Sequence, residues 1–170
     1  MLSVATIKAV LSVSSIKGAR ERIEKIVDRL PSIKKIFVSR SLSFLEDKAK
    51  EHLNATTGGS SWYQLTHTLE NSFKIDEDVG RLINDCFYSA FVEYGTGVVG
   101  KGTHPAPKDY KYDVSGHANN GWFFYKDGQI HWTKGMKAHR YMYNALVDYY
   151  FKEEYKEIFY NVVKESLEEV

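Results

Sequence analysis

Apolar side chains recur at helical spacing over the first third of the chain. Ser14 and Ser15 can cap a helix whose apolar positions are Ile16, Ala19, Ile23, Ile26, Val27 and Leu30, the i, i+3, i+4, i+7 pattern of one buried stripe. Pro31 ends this helix or opens the next, in which Ile33, Ile36, Phe37, Phe44, Leu45, Ala49 and Leu53 again share a face. Residues 54–61, with Gly58-Gly59, break the pattern. Region 1–57 therefore reads as a helical hairpin or one long kinked helix, with a strand expected over residues 2–10.

The rhythm changes in region 62–135. Leu69 to Ile75, the turn residues Asp76-Glu77-Asp78, and Val79 to Asn84 form one expected hairpin. Gly121 to Tyr125 and Gln129 to Trp132 flank Lys126-Asp127-Gly128, and an Asp-Gly turn between two aromatic runs is the strongest hairpin signal in the chain. Tyr88 to Tyr94 fits a short helix or a strand. Between Gly95 and Gly121 lies a glycine-rich stretch with Pro105 and Pro107, too polar to pack as a core element and expected to order only in an assembly. Helical spacing returns in region 136–170, through Met142, Ala145, Leu146, Tyr149, Tyr150, Ile158, Phe159, Val162, Val163 and Leu167. The expected fold is a single α+β domain over residues 1–170. An N-terminal helical hairpin and a long C-terminal helix pack on a small, mostly antiparallel sheet.

Composition narrows the class. At 170 residues the chain can bury a real core, and its 12 tyrosines and 9 phenylalanines suit either that core or a large interface. The single cysteine, Cys86, excludes a disulfide framework and reads as a small core residue. No stretch is apolar for long enough to span a membrane, and the opening residues lack a charged start, so no membrane partner is expected.

Net charge is only +1, but it is unevenly spread. Residues 1–56 carry 11 basic and 6 acidic side chains, residues 57–151 carry 9 and 10, and residues 152–170 carry 3 and 6. The pattern reads as ordinary solvated helix faces or as front-to-back complementarity between neighbouring copies in a ring. Glu165, Glu168 and Glu169 stand at a helix C-terminus, where the macrodipole disfavours them; either the last turn frays or a basic surface receives it.

Signals for catalysis are thin. The six histidines, His52, His67, His104, His117, His131 and His139, show no metal-ligand spacing, and no cysteine cluster joins them. Gly95 to Thr103 holds a Gly-Lys pair, but the sequence Gly100-Lys101-Gly102-Thr103 lacks the spacing of a phosphate-binding loop. Lys101, Lys108 and Lys111 give this stretch a basic lean beside Tyr110 and Tyr112, without the charge excess that tight nucleic-acid binding needs. Glu93, between Val92 and Tyr94, is either an exposed residue or a charge held at a subunit contact. No metal and no cofactor is expected.

Three segments carry a resemblance. Tyr88-Ser89-Ala90-Phe91-Val92-Glu93-Tyr94-Gly95-Thr96-Gly97 is the first. Upstream stands Thr66-His67-Thr68-Leu69-Glu70-Asn71-Ser72-Phe73, and downstream Gly135-Met136-Lys137-Ala138 through Ala145-Leu146. In this order they resemble the minor structural proteins of long-tailed bacteriophages, the tail-component or neck proteins of the head–tail junction. His67 stands where that family usually has glycine, and Lys137 and His139 where it often has proline and arginine.

The resemblance implies a non-enzymatic virion protein assembled in the host cytoplasm, forming a homo-oligomeric ring around the DNA channel. It would join the portal-side connector or head-closure protein to the tail, with double-stranded DNA passing through without tight binding. A tail-completion or tail-terminator protein is the alternative within that class, and a small nucleic-acid-acting enzyme or toxin the alternative outside it. The candidate interface residues are Glu93, Tyr94, Gly95, Thr96, Gly97, Lys101, Lys108, Lys137, His139 and Arg140.

Overall fold

The computed structural model describes residues 13–57, 67–105 and 120–168, with side chains from residue 16 to 55 in the first stretch. The strand expected over 2–10 lies outside these residues, as do the glycines at 58 and 59. Helix α1, Val13–Thr57, is a single helix of 45 residues with Pro31 inside it. Of the two forms read for region 1–57, the structure has the single long helix and not the helical hairpin. Proline in a helix interior removes one hydrogen bond and typically costs ~3 kcal/mol. Here Pro31 faces solvent, the Ser32 hydroxyl donates to the Arg29 carbonyl at 2.8 Å, and the C-terminal helices brace α1 on both sides of the proline.

A 3-10 turn over Glu70–Ser72 leads into β1, Phe73–Asp76, which pairs antiparallel with β2, Arg81–Asn84. Two short helices follow, α2 over Ser89–Tyr94 and α3 over Gly97–Gly100. Strands β3, Trp122–Lys126, and β4, Gln129–Thr133, form the Asp-Gly hairpin, with Phe123 opposite Trp132 and Tyr125 opposite Ile130. A two-residue strand β5, Gly135–Met136, bridges to Thr96 and Gly97. The fold is α+β as expected, with the strands in two separate antiparallel hairpins.

The expected long C-terminal helix is two: α4, Tyr141–Phe151, and α5, Glu154–Glu168. The break is sharp, because Glu153 adopts a left-handed backbone (φ 60°). The main core joins Ala49 and Leu53 of α1, Leu69, Cys86, Val92 of α2, and Tyr141 and Ala145 of α4. Farther along α1, α5 lies antiparallel to it: Phe37 meets Phe159 edge-on at 5.5 Å, and the Arg29 guanidinium donates to the Ser166 carbonyl.

The acidic helix end is therefore received by α1 of the same chain. Arg40 grips both Glu165 oxygens at 3.0 and 2.5 Å, and its hydrogen bond holds the Glu165 carboxyl below its ordinary pKa. Position 169 lies outside the described residues. The N-terminal stripe departs from expectation too, since Ile16, Ile23, Val27 and Leu30 are more than half exposed. No helix among the described residues is long and apolar enough to cross a membrane.

Candidate functional site

Helix α4 begins without a capping side chain of its own. Its N-cap, Arg140, has a left-handed backbone (φ 57°) and makes no side-chain cap bond, so the first N–H groups of the helix need acceptors from elsewhere. Glu93, at the end of α2, supplies them. Its Oε2 accepts from the Met142 N–H at 2.9 Å and its Oε1 from the Tyr143 N–H at 3.0 Å. The backbones interlock alongside: the His139 N–H donates to the Val92 carbonyl at 2.9 Å, and the Arg140 N–H to the Glu93 carbonyl at 3.2 Å. A carboxylate at a helix N-terminus meets aligned N–H dipoles, which favour negative charge there.

The residue is only 6% exposed, so these bonds replace lost hydration. A third partner comes from the glycine-rich stretch, because His104 Nε2 lies 3.0 Å from Glu93 Oε1. The imidazole is held edge-on by Tyr94 at 4.7 Å and Tyr143 at 5.3 Å between ring centroids. Its Nδ1 is buried and has no hydrogen-bond partner among the described residues. Asn84, Ser89, Pro105 and Leu146 open a cleft of about 410 Å³ beside the pair.

The Gly-Thr-Gly segment holds this arrangement in place. The Thr96 hydroxyl accepts from the Met136 N–H at 3.1 Å, and the Thr103 hydroxyl from the Ala138 N–H at 2.9 Å. Gly95 has φ 81°, and a Cβ there would come within 2.7 Å of the Ala138 nitrogen and the Met136 oxygen. Gly135 (φ 107°) lies so close to Thr96 that any Cβ would overlap its carbonyl. The glycines therefore mark a seam where two backbones touch. The start of the stretch does pack, with Gly97, Gly100 and His104 all buried. Its glycines remove side-chain bulk at the seam, and its threonine hydroxyls satisfy facing N–H groups.

Among the sequence-predicted residues, Glu93, Tyr94, Gly95, Thr96, Gly97 and His139 gather here, with Arg140 turning the chain into α4. Lys101 and Lys137 are exposed at the edge, and position 108 lies outside the described residues, as do Lys111, Tyr110, Tyr112 and His117. Glu93, read as a charge for a neighbour's arginine or lysine, is engaged within its own chain. His139 is half-buried, and desolvation lowers its pKa below the ordinary imidazole value against the opposing pull of Glu93. Sequence reasoning missed His104 as the partner of Glu93 and Thr103 as a backbone acceptor. The only available signal was their closeness to the glycine cluster.

A second polar link ties α4 to α1. Asp148 lies 2.8 Å from His52 Nε2 and 2.8 Å from Lys152 Nζ. Burial opposes ionisation of the Asp148 carboxyl, but the hydrogen bonds from Lys152 and His52 outweigh it and hold its pKa below the usual aspartate value. Both carboxylates thus lock elements of one chain together. No protein-family model matches the chain, and no curated protein or solved structure matches it either.

Proposed function

We propose that the protein is a ring-forming structural component of the neck of a long-tailed bacteriophage or prophage, joining the portal-side connector to the tail. The reading rests on the three segments that resemble that class, and one observation strengthens it. The segments are distant in sequence yet meet in one place: Leu69, Val92, Tyr141 and Ala145 share the core, and Glu93 of the central segment caps the helix that the last one opens. Residues that carry a likeness and also build one structural unit are what a common architecture would require. The chain further exposes large apolar side chains on both the β3–β4 hairpin and the front of α1, as a protein that works inside an assembly would.

Deleting the gene from the phage or prophage that encodes it tests the reading. Filled heads and separate tails, rejoined when the purified protein is added, are the expected outcome. Normal tailed particles from the deletion strain would refute it.

A further inference from the structure

Beyond its contact with α5, the front of α1 projects as an arm. Residues 13–25 extend past the Arg29–Ser166 contact, a reach of about 20 Å at helical rise. The arm is not randomly apolar. Ile16, Ile23, Leu30 and Phe37 fall on position a of a heptad, and Ala19, Ile26 and Ile33 on position d. The lower part of this seam faces α5, where Ile33 is buried; at the upper end Ile16 is 55% and Ile23 61% exposed. One seam thus runs from a covered half into an uncovered one.

The flanks say what can cover it. Positions e and g hold Arg20 and Arg22 on the arm and Arg29 and Lys34 below it, while the acids Glu21, Glu24 and Asp28 all stand at the outer b and f positions, Glu24 pairing with Arg20 at 2.7 Å. Two such arms laid together would set like charges against each other, which disfavours arm–arm pairing. An acidic helix is the complement. Within this chain α5 is that helix, carrying Glu154, Glu157, Glu165 and Glu168 against Lys156 and Lys164, with Glu165 already held by Arg40. It also offers a place to dock. Between α1 and α5 an apolar groove of about 370 Å³ is lined by Ile26, Leu30, Ile33, Phe37, Phe159 and Val163, with the stem of Lys34. It adjoins a hollow on α5 formed by Tyr160, Val163, Lys164, Leu167 and Glu168, of which Tyr160 is 66% exposed. A groove between two packed helices is the shape that takes a third.

We infer that the arm of one copy docks in the α1–α5 groove of the next, its Ile16, Ala19 and Ile23 against Leu30, Phe159 and Tyr160. Arm and groove are different surfaces, so the contact is head-to-tail and closes into a ring or grows into a filament. The inference deepens the ring part of the proposed function, but its test uses purified protein alone and leaves the neck assignment to the deletion experiment.

Sedimentation velocity over a concentration series is the measurement, on the full chain and two variants: an arm variant, Ile16→Glu with Ile23→Glu, and a groove variant, Tyr160→Glu with Leu167→Glu. All four side chains are exposed, so circular dichroism melts should stay close to wild type. The wild type should self-associate, and each variant should do so at least about tenfold more weakly. An equimolar mixture of the two should form a one-to-one dimer and stop there, because each retains one working surface. A wild type monomeric throughout would overturn the inference. So would a groove variant that associates like wild type, or a mixture that stays monomeric.

Discussion

The Glu93 node and the front of α1 are built on opposite terms. Around Glu93, both carboxylate oxygens meet partners from elsewhere in the chain, with His104 Nδ1 buried beside them without one among the described residues, and the backbones approach so closely that only glycine fits. On the arm, and on the face of the β3–β4 hairpin that carries Phe123, Tyr125, Ile130 and Trp132, large apolar side chains meet water. The first region is complete within one chain; the second has the chemistry of an interior and the exposure of a surface. Substitutions at the node should be felt by folding, and those on the exposed faces by association.

The largest effect is expected at the node itself. Glu93→Ala strands two helix N–H groups and leaves His104 without its carboxylate, and should cost about 3–5 kcal/mol in denaturant unfolding. Glu93→Gln keeps the shape but turns one acceptor into a donor, for a loss of about 1–3 kcal/mol. If both variants melt like wild type, the node does not hold the fold and the contrast between the two regions fails.

Next comes Asp148, whose folded pKa is depressed. Such a group adds stability above the unfolded aspartate pKa of about 3.9, and that stability is lost as pH falls through the folded value. Asp148→Asn should therefore cost about 1–3 kcal/mol near neutrality, with the gap to wild type narrowing in acid. Urea titrations at pH 7 and pH 3 check this; a gap of constant size would contradict it.

His139 gives a smaller, opposite-looking test. Its folded pKa is also lowered, so folding favours the neutral ring. That contribution is present above the ordinary imidazole pKa of about 6.5 and lost as pH falls toward the folded value. Wild-type stability should drop between pH 7.5 and 5.5, and His139→Gln should flatten the drop. A slope unchanged by the substitution would assign it to another group.

The smallest effect belongs to the hairpin face. Phe123→Thr with Ile130→Thr keeps strand propensity and removes exposed apolar area, so the unfolding free energy should change by no more than about 0.5 kcal/mol for each substitution. Solubility at high concentration should rise. A large loss of stability would show that this face belongs to the fold after all.

How much of this was legible in the sequence differed by element. The Asp-Gly hairpin was readable nearly residue by residue, because a two-residue turn sets its own register. Helical periodicity located α1, but not its burial: a stripe at Ile16 and Ile23 looks the same whether the molecule covers it or another one must. Pro31 suggested a boundary, which tertiary support on both sides overrode. The break at Glu153 carries neither glycine nor proline and left no mark. At the site, Glu93 stood out as a carboxylate in an apolar run, yet its partners Met142, Tyr143 and His104 come from other segments, and no spacing rule joins them.

That distance also bears on the order of events during synthesis. The acceptor that starts α4 leaves the ribosome 49 residues before the N–H group it serves. Until then Glu93 must stay hydrated, and α2 has no reason to bury. When Met142 and Tyr143 emerge, their helix has no local stop on its front end and can fray there. Neither element is finished until they meet, so α2 and α4 should gain protection from hydrogen exchange together, late, and in a single step.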